Sequence, residues 1–338
     1  MKIIFYYLTF FIFFKTFSQK SYVDYHKQIN KAEELFFKDN KKDSAFYYYD
    51  KTFGEFKEFV FLKDILNVLQ LSIVEKREYE KYIELGFNNG LKLLDLNNFP
   101  IIKNKKINIL KFQKKYDQIR KKYIQKIDLE YLQWVYNLTG EDQIVKERWD
   151  GFYENIYLPK KINELKNKII EKGYPGDRII GITDSTIFKE LNSKFYRDYT
   201  KIKMVKKVKE DHSSYEFLSA SFLFPFHMHH YCTFYYFEDL WLKQIAMGNI
   251  HPRDVAYIHD DHCRYLNNKK YFINSCVNKL NSKFYILRNV CKNKDFDLKS
   301  SDEQRKKWLI VSHEIDSLKR DFEIINNVNL FYGYLRNR

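Results

Sequence analysis

Seven of the nine histidines lie between His212 and His262, so metal or acid–base chemistry in this chain would gather there. The dense parts are His227-Met228-His229-His230-Tyr231-Cys232 and His259-Asp260-Asp261-His262-Cys263. Imidazole and thiolate are ligand types for zinc or copper. In a helix opened by Pro225, His227 and His230 share a face, as do His229 and Cys232. His259 aligns in the same way with His262 and Cys263 if that stretch is helical. His227, His230, His259 and His262 are therefore the candidate metal ligands, and zinc is the ion this set would take. No His-Glu-x-x-His or Cys-x-x-Cys pattern accompanies them. Histidines in an aromatic-rich core also serve as hydrogen-bonding core residues. That reading is preferred, and no cofactor is expected.

Hydrolytic chemistry needs carboxylates that face each other. Glu238-Asp239 and Asp260-Asp261 are chain neighbours, and neighbours on a helix point about 100° apart. Asp142-Gln143 follows the helix that carries Trp134 and reads first as a buried polar brace. There is no Gly-x-Ser-x-Gly elbow, phosphate loop or dinucleotide glycine turn. As an enzyme, the chain would use Asp142, Gln143, His227, His230 and Asp260, in a metal-assisted hydrolase.

The elements that would position these residues are mainly α. Ten Gly and five Pro are few for 338 residues, which favours long helices over a sandwich of short strands. Residues 22–97 read as helices with a period of 34: Leu35 aligns with Leu69, Ala45 with Tyr79, Tyr49 with Ile83 and Phe53 with Phe87. That period belongs to the tetratricopeptide helical pair, although an ordinary antiparallel pair gives nearly the same pattern. Asn97-Asn98-Phe99-Pro100 breaks it. Beyond the break, Ile109, Phe112, Tyr116, Ile119, Tyr123, Ile127, Tyr131 and Trp134 predict one long amphipathic helix. Its other face carries Lys103, Lys105, Lys106, Lys111, Lys114, Lys115, Arg120, Lys121, Lys122 and Lys126, read as a solvated face. Further helices are expected at 160–172, 185–199, 226–247 and 302–325, a turn at Gly173-Tyr174-Pro175-Gly176, and β character at Phe284–Leu287. The predicted organisation is a leader at 1–18, tetratricopeptide-like helical pairs at 19–98, and an α-rich domain at 101–338 with at most a small β-hairpin.

The leader fixes the compartment. Met1-Lys2, an uncharged run from Ile3 to Phe14, and Lys15-Thr16-Phe17-Ser18 form a secretory signal cleaved before Gln19. The run is shorter than the ~20 residues of a spanning helix, and no later window is long enough. The mature chain is therefore expected to be exported, periplasmic or extracellular, and not membrane-spanning. Its charge of +15, or +13 once Lys2 and Lys15 are removed, suits an acidic protein or an anionic envelope component. Export disfavours nucleic acid. Cys232, Cys263, Cys276 and Cys291 permit disulfides in three full connectivities, or remain buried thiols.

From about residue 125 the chain resembles a bacterial domain family of unknown function found in exported proteins, sometimes behind tetratricopeptide-like helices. Asp142-Gln143 with Lys146 is similar to the family's Asp-Gln with a basic residue three on. Gly173-Tyr174-Pro175 with Ile180-Gly181 resembles its Gly-aromatic-Pro element, and the His227–His230 group its histidine. Gly248, Pro252 and Ala256-Tyr257-Ile258-His259-Asp260 resemble its Gly, turn and Ala-Tyr-Leu-x-Asp-Arg. Asp302–Trp308 with Arg305 is similar to its last helix. Asp261 stands where the family has Arg, and Tyr271-Phe272-Ile273-Asn274 where it has Tyr-Gly-Thr-Gln. The resemblance implies no activity, and those departures imply a divergent or inactive member. The sequence thus favours a non-enzymatic exported helical protein that binds a protein or peptide segment through its repeat-like part. The alternative is an envelope hydrolase around Asp142, His227–His230 and Asp260.

Overall fold

The computed structural model describes residues 21–145, 151–182, 186–192, 223, 226–227, 233–261 and 297–332. The fold is mainly α, with no strand among the described residues. Phe284–Leu287, the four cysteines, His229, His230, His262 and the leader lie outside them.

Ser21 caps the first helix, its hydroxyl accepting from the Val23 amide at 3.2 Å. Helix α1 (Tyr22–Glu33) runs on through a π turn at Glu34–Lys38 and packs against α2 (Lys42–Glu55) as a helical hairpin. A second hairpin follows, α3 (Leu62–Val74) and α4 (Glu80–Asn88). Leu35, Tyr49 and Phe53 are buried in the first hairpin, and Leu69, Ile83 and Phe87 at the aligned positions of the second. Helix α3 has no wet face: every residue from Leu62 to Ile73 is buried.

Pro100 opens a short α5 (Pro100–Asn104), after which α6 (Gln113–Gln125) lies against α4. The long helix predicted from Ile109 to Trp134 is two helices. Asp128 ends the first and caps the second: its carboxylate accepts from the Tyr131 amide at 2.8 Å, and its own amide donates to the Ile179 carbonyl at 2.9 Å. The chain restarts as α7 (Leu129–Val145), followed by α8 (Leu158–Lys172), α9 (Asp177–Ile180) and α10 (Thr186–Glu190).

The described part of 226–247 is also interrupted, at Phe237, between α11 (Thr233–Tyr236) and α12 (Glu238–Ala246). After α13 (Pro252–Asp261), the predicted helix at 302–325 is likewise two, α14 (Leu298–Lys307) and α15 (His313–Asn326). Leu309 sits between them with φ 59°, a left-handed conformation that no helix continues through.

Two apolar clusters make the core. One joins α1 to α5 with Phe112, Ile182 and the C-terminal Val328, Leu330 and Tyr332. The other runs from Tyr123 through α7, α8, α12 and α13 to Trp308 and Ile310. The C-terminal segment is tied to α3 by two side-chain amides. Asn67 accepts from the Phe331 amide at 2.7 Å and donates to its carbonyl at 3.2 Å. Gln70 does the same for Asn329, at 2.7 and 2.5 Å.

Candidate functional site, a buried ionic seam

Charges buried inside a protein must be paired, and where they are concentrated they mark a site or a structural clamp. Here they gather where α1 and α3 meet α13, α14 and α15. Because α3 is buried on all sides, Lys63 and Asp64 at its first turn cannot reach water. Lys63 donates to Asp254 of α13, and Tyr25 of α1 donates to Asp64 at 2.8 Å. Arg253 of α13 grips Asp316 of α15 with both guanidinium arms, at 2.6 and 2.9 Å, and Arg305 of α14 donates to the same carboxylate. Lys319, one turn on, donates to Glu33 of α1 at 2.5 Å.

Burial alone would raise the carboxyl of Asp316, but Arg253 and Arg305 hold it well below the usual carboxylate range. Burial pushes Asp177 up to about 7, a rise that Lys63 opposes and Asp254 reinforces. Asp64 is raised too, chiefly by burial.

At the head of the seam is a cavity of about 10 Å³, the room of roughly one water. His26, Asn30, Glu33, Lys63, Asp64, His251 and Arg253 line it. The His26 and His251 rings meet edge to face at 5.1 Å, with Phe61 against both. Burial, reinforced for His26 by His251 and for His251 by Lys63, pushes both imidazoles well below their ordinary range, so they are neutral. Tautomers follow from partners. The Arg253 amide donates to Nδ1 of His251 at 3.2 Å, so Nε2 carries the proton and faces Asp64 Oδ1 across 3.7 Å. That nitrogen has no lone pair for a metal. His26 Nε2 has no hydrogen-bond partner.

A Ser–His pair also lies here. Ser301 Oγ and His313 Nε2 are 2.7 Å apart, and Arg305 Nη1 is 2.6 Å from His313 Nδ1. Guanidinium only donates, so Nδ1 accepts and Nε2 of the neutral ring carries the proton. The imidazole therefore donates to the serine. A serine nucleophile needs the reverse polarity.

The sequence-predicted residues fall nearby and apart. Asp142 is fully buried and accepts from Tyr153 at 2.5 Å. Gln143 lies on α7 beside it, its side chain outside the described residues. His227 stacks on Tyr174, with Nε2 at 3.1 Å from its hydroxyl, and lies edge-on to Trp241 and Phe237. His259 and Asp260 are brought together at 2.7 Å, with the His259 ring against Phe234. Asp260 acts electrostatically on Arg305, which places it at the foot of the seam. No group of three or more His, Cys, Asp or Glu spaced to hold a metal occurs among the described residues.

The Gly173–Gly176 turn and the turn at Gly248 come together. Gln244 accepts from the Tyr174 amide and from Asn249, both at 2.8 Å, so the Gly173–Gly176 turn is docked on the turn after α12. Gly248, with φ 73°, lies under the Tyr22 ring, where a Cβ would come within 2.6 Å. No family model, curated protein or solved structure matches the chain. Sequence reasoning missed His26, Glu33, Lys63, Asp64, His251, Arg253, Asp316 and Lys319. The signal that could have found some of them is α3 itself, where a Lys-Asp pair opens a run too apolar to have a solvated side.

Proposed function

We propose that the chain is an exported, non-enzymatic helical protein that holds a protein or peptide partner on the outward faces of its N-terminal half. The distribution of charge carries this reading. In the seam Lys63 pairs with Asp254, Arg253 with Asp316 and Lys319 with Glu33, around space for one water. The Lys63 and Asp64 side of α3 and the His26 and Glu33 side of α1 face α13, α15 and their own chain's C-terminus. A peptide would therefore be received on α2 and α4, where Tyr47 of α2 stays exposed. The leader and the resemblance to the exported family support the compartment.

A photoreactive residue at Tyr47, in the full chain in its own cells, tests the reading. A discrete adduct in the envelope fraction is expected, with none from Leu66 in the core. Absence of adducts from every outward position of α2 and α4 overturns it. The N-terminus of the envelope form is expected to be Gln19; an intact leader there overturns cleavage, and absence of the chain from the envelope overturns export.

A second reading, an envelope hydrolase, rests on the oriented His259–Asp260 pair, the arrangement a general base requires. Elemental analysis of the dialysed mature protein addresses its metal-assisted form. Less than one metal per chain removes it.

A further inference from the structure

We infer that the lysine face of α5, the turn after it and α6 is a docking surface for an anionic lipid bilayer, a partner distinct from the protein or peptide proposed above. Lys103, Lys105, Lys106, Lys114, Lys121, Lys122 and Lys126 are all exposed, and no ion pair joins any of them among the described residues. Lys111 and Lys115 mark the edge of the patch, where they pair with Glu80 and Glu84 of α4. Asp117 is the exposed carboxylate on α6. The opposite side of the helix is fixed in the core through Phe112, Tyr123 and Ile124, so the lysines are held outward on a rigid rod.

Two details select the partner. First, the one arginine of the stretch, Arg120, is turned inward onto Glu190, at 2.9 and 3.0 Å. What faces out is ammonium alone, which attracts diffuse negative charge but lacks the planar fork for a particular phosphate. Second, Leu110 stands 66% exposed at the head of α6, four residues before Lys114. A soluble polyanion leaves that side chain in water, whereas a bilayer interface buries it. No described helix is long and apolar enough to cross a membrane, so attachment here is peripheral.

The test is co-sedimentation of the mature chain, residues 19–338, with vesicles of phosphatidylcholine alone or mixed with phosphatidylglycerol. Binding is expected only to the mixed vesicles, with release when salt rises from about 0.15 M to about 1 M. Reversing Lys114, Lys121, Lys122 and Lys126 to Glu together is expected to weaken binding by on the order of a hundredfold or more. These side chains are exposed, so melting should hold. Neutralising Lys103, Lys105 and Lys106 to Gln is the milder variant and should weaken binding by roughly tenfold or more. Leu110→Ala should weaken vesicle binding and leave binding to soluble polyphosphate unchanged. Equal binding of wild type and the charge-reversed chain overturns the inference, as does binding to polyphosphate without binding to vesicles. The crosslink at Tyr47 is read separately, so the two proposals fail independently.

Discussion

Replacing Asp316 with Asn preserves the side chain's shape and removes the charge that two buried guanidiniums share. Arg253 and Arg305 both donate to Asp316, and all three side chains are nearly inaccessible, at 7% exposed or less. Asp316 is held well below the usual carboxylate range, so the wild-type charge is present throughout the neutral region. Leaving a buried charge without its partner costs about 3–5 kcal/mol. The lower end applies here, because Arg253 keeps the Tyr332 carbonyl at 3.3 Å and Arg305 keeps His313. At roughly 2–4 °C per kcal/mol for a domain of this order, Tm should fall by roughly 6–12 °C. Thermal unfolding of the mature chain near neutral pH, followed by circular dichroism, reads this directly. Lys38→Ala is the control. Its partner Glu314 sits in open water, and no change is expected. Because the loss comes from stranded charge, the triple variant Asp316→Leu, Arg253→Met and Arg305→Met should lose less than Asp316→Asn alone. A triple that melts lower than the single, or a single within about 2 °C of wild type, refutes it.

Other outcomes follow from the same geometry. His26 and His251 have depressed pKa values when folded, so the stability they confer is present above the unfolded value of about 6.5 and lost as pH falls below it. His26→Gln should flatten the loss of Tm below about pH 6, and an unchanged slope would remove His26 from the acid response. Asp177 has the opposite sign: its folded value of about 7 means stability is greatest below about pH 4 and declines up to neutrality. Asp177→Asn should therefore raise Tm at about pH 8 and barely change it at about pH 4; a fall at the higher pH would show its ionised form to be stabilising. Gly176→Ala should prevent folding, because a Cβ there overlaps the backbone carbonyl of Asn249; a variant that stays soluble with native melting contradicts that packing. Asp142→Ala removes an acceptor of the buried Tyr153 hydroxyl and should cost about 1–3 kcal/mol, whereas unchanged melting would return Asp142 to the catalytic candidates.

Helix content was legible because its cause is local. Tyr22, Tyr25, Ile29 and Ala32 recur at threes and fours, and α1 buries them. The Gly173–Gly176 turn was legible for the same reason. Breaks were harder. Asp128 is an ordinary capping residue, but it sat inside an apolar rhythm that continued in phase across it. Leu309 takes a left-handed conformation that its residue type does not announce, so α14 and α15 read as one helix. The seam was least visible, because its pairs are distant in the chain: Lys63 meets Asp254 across 191 positions, and Glu33 meets Lys319 across 286. Nothing local distinguishes such a lysine from one in solvent, except that α3 has no solvated side. The candidate site residues were visible as types, but the sequence aligned His259 with His262 and Cys263 and not with Asp260, the partner it has in the fold. What each side chain touches depends on packing that no spacing rule encodes.

The two amides of α3 that hold Asn329 and Phe331 have a consequence in time. Gln70 and Asn67 are synthesised long before their partners, which come 259 and 264 positions later. Until Asn329 and Phe331 arrive, α3 exposes a charged pair and two amides that its native surroundings require to be covered. The two hairpins are therefore incomplete on their own, and closure waits for Asn329 and Phe331. Such late closure predicts slow folding, since distant contacts must be made before they stabilise anything. The tail then acts as a latch.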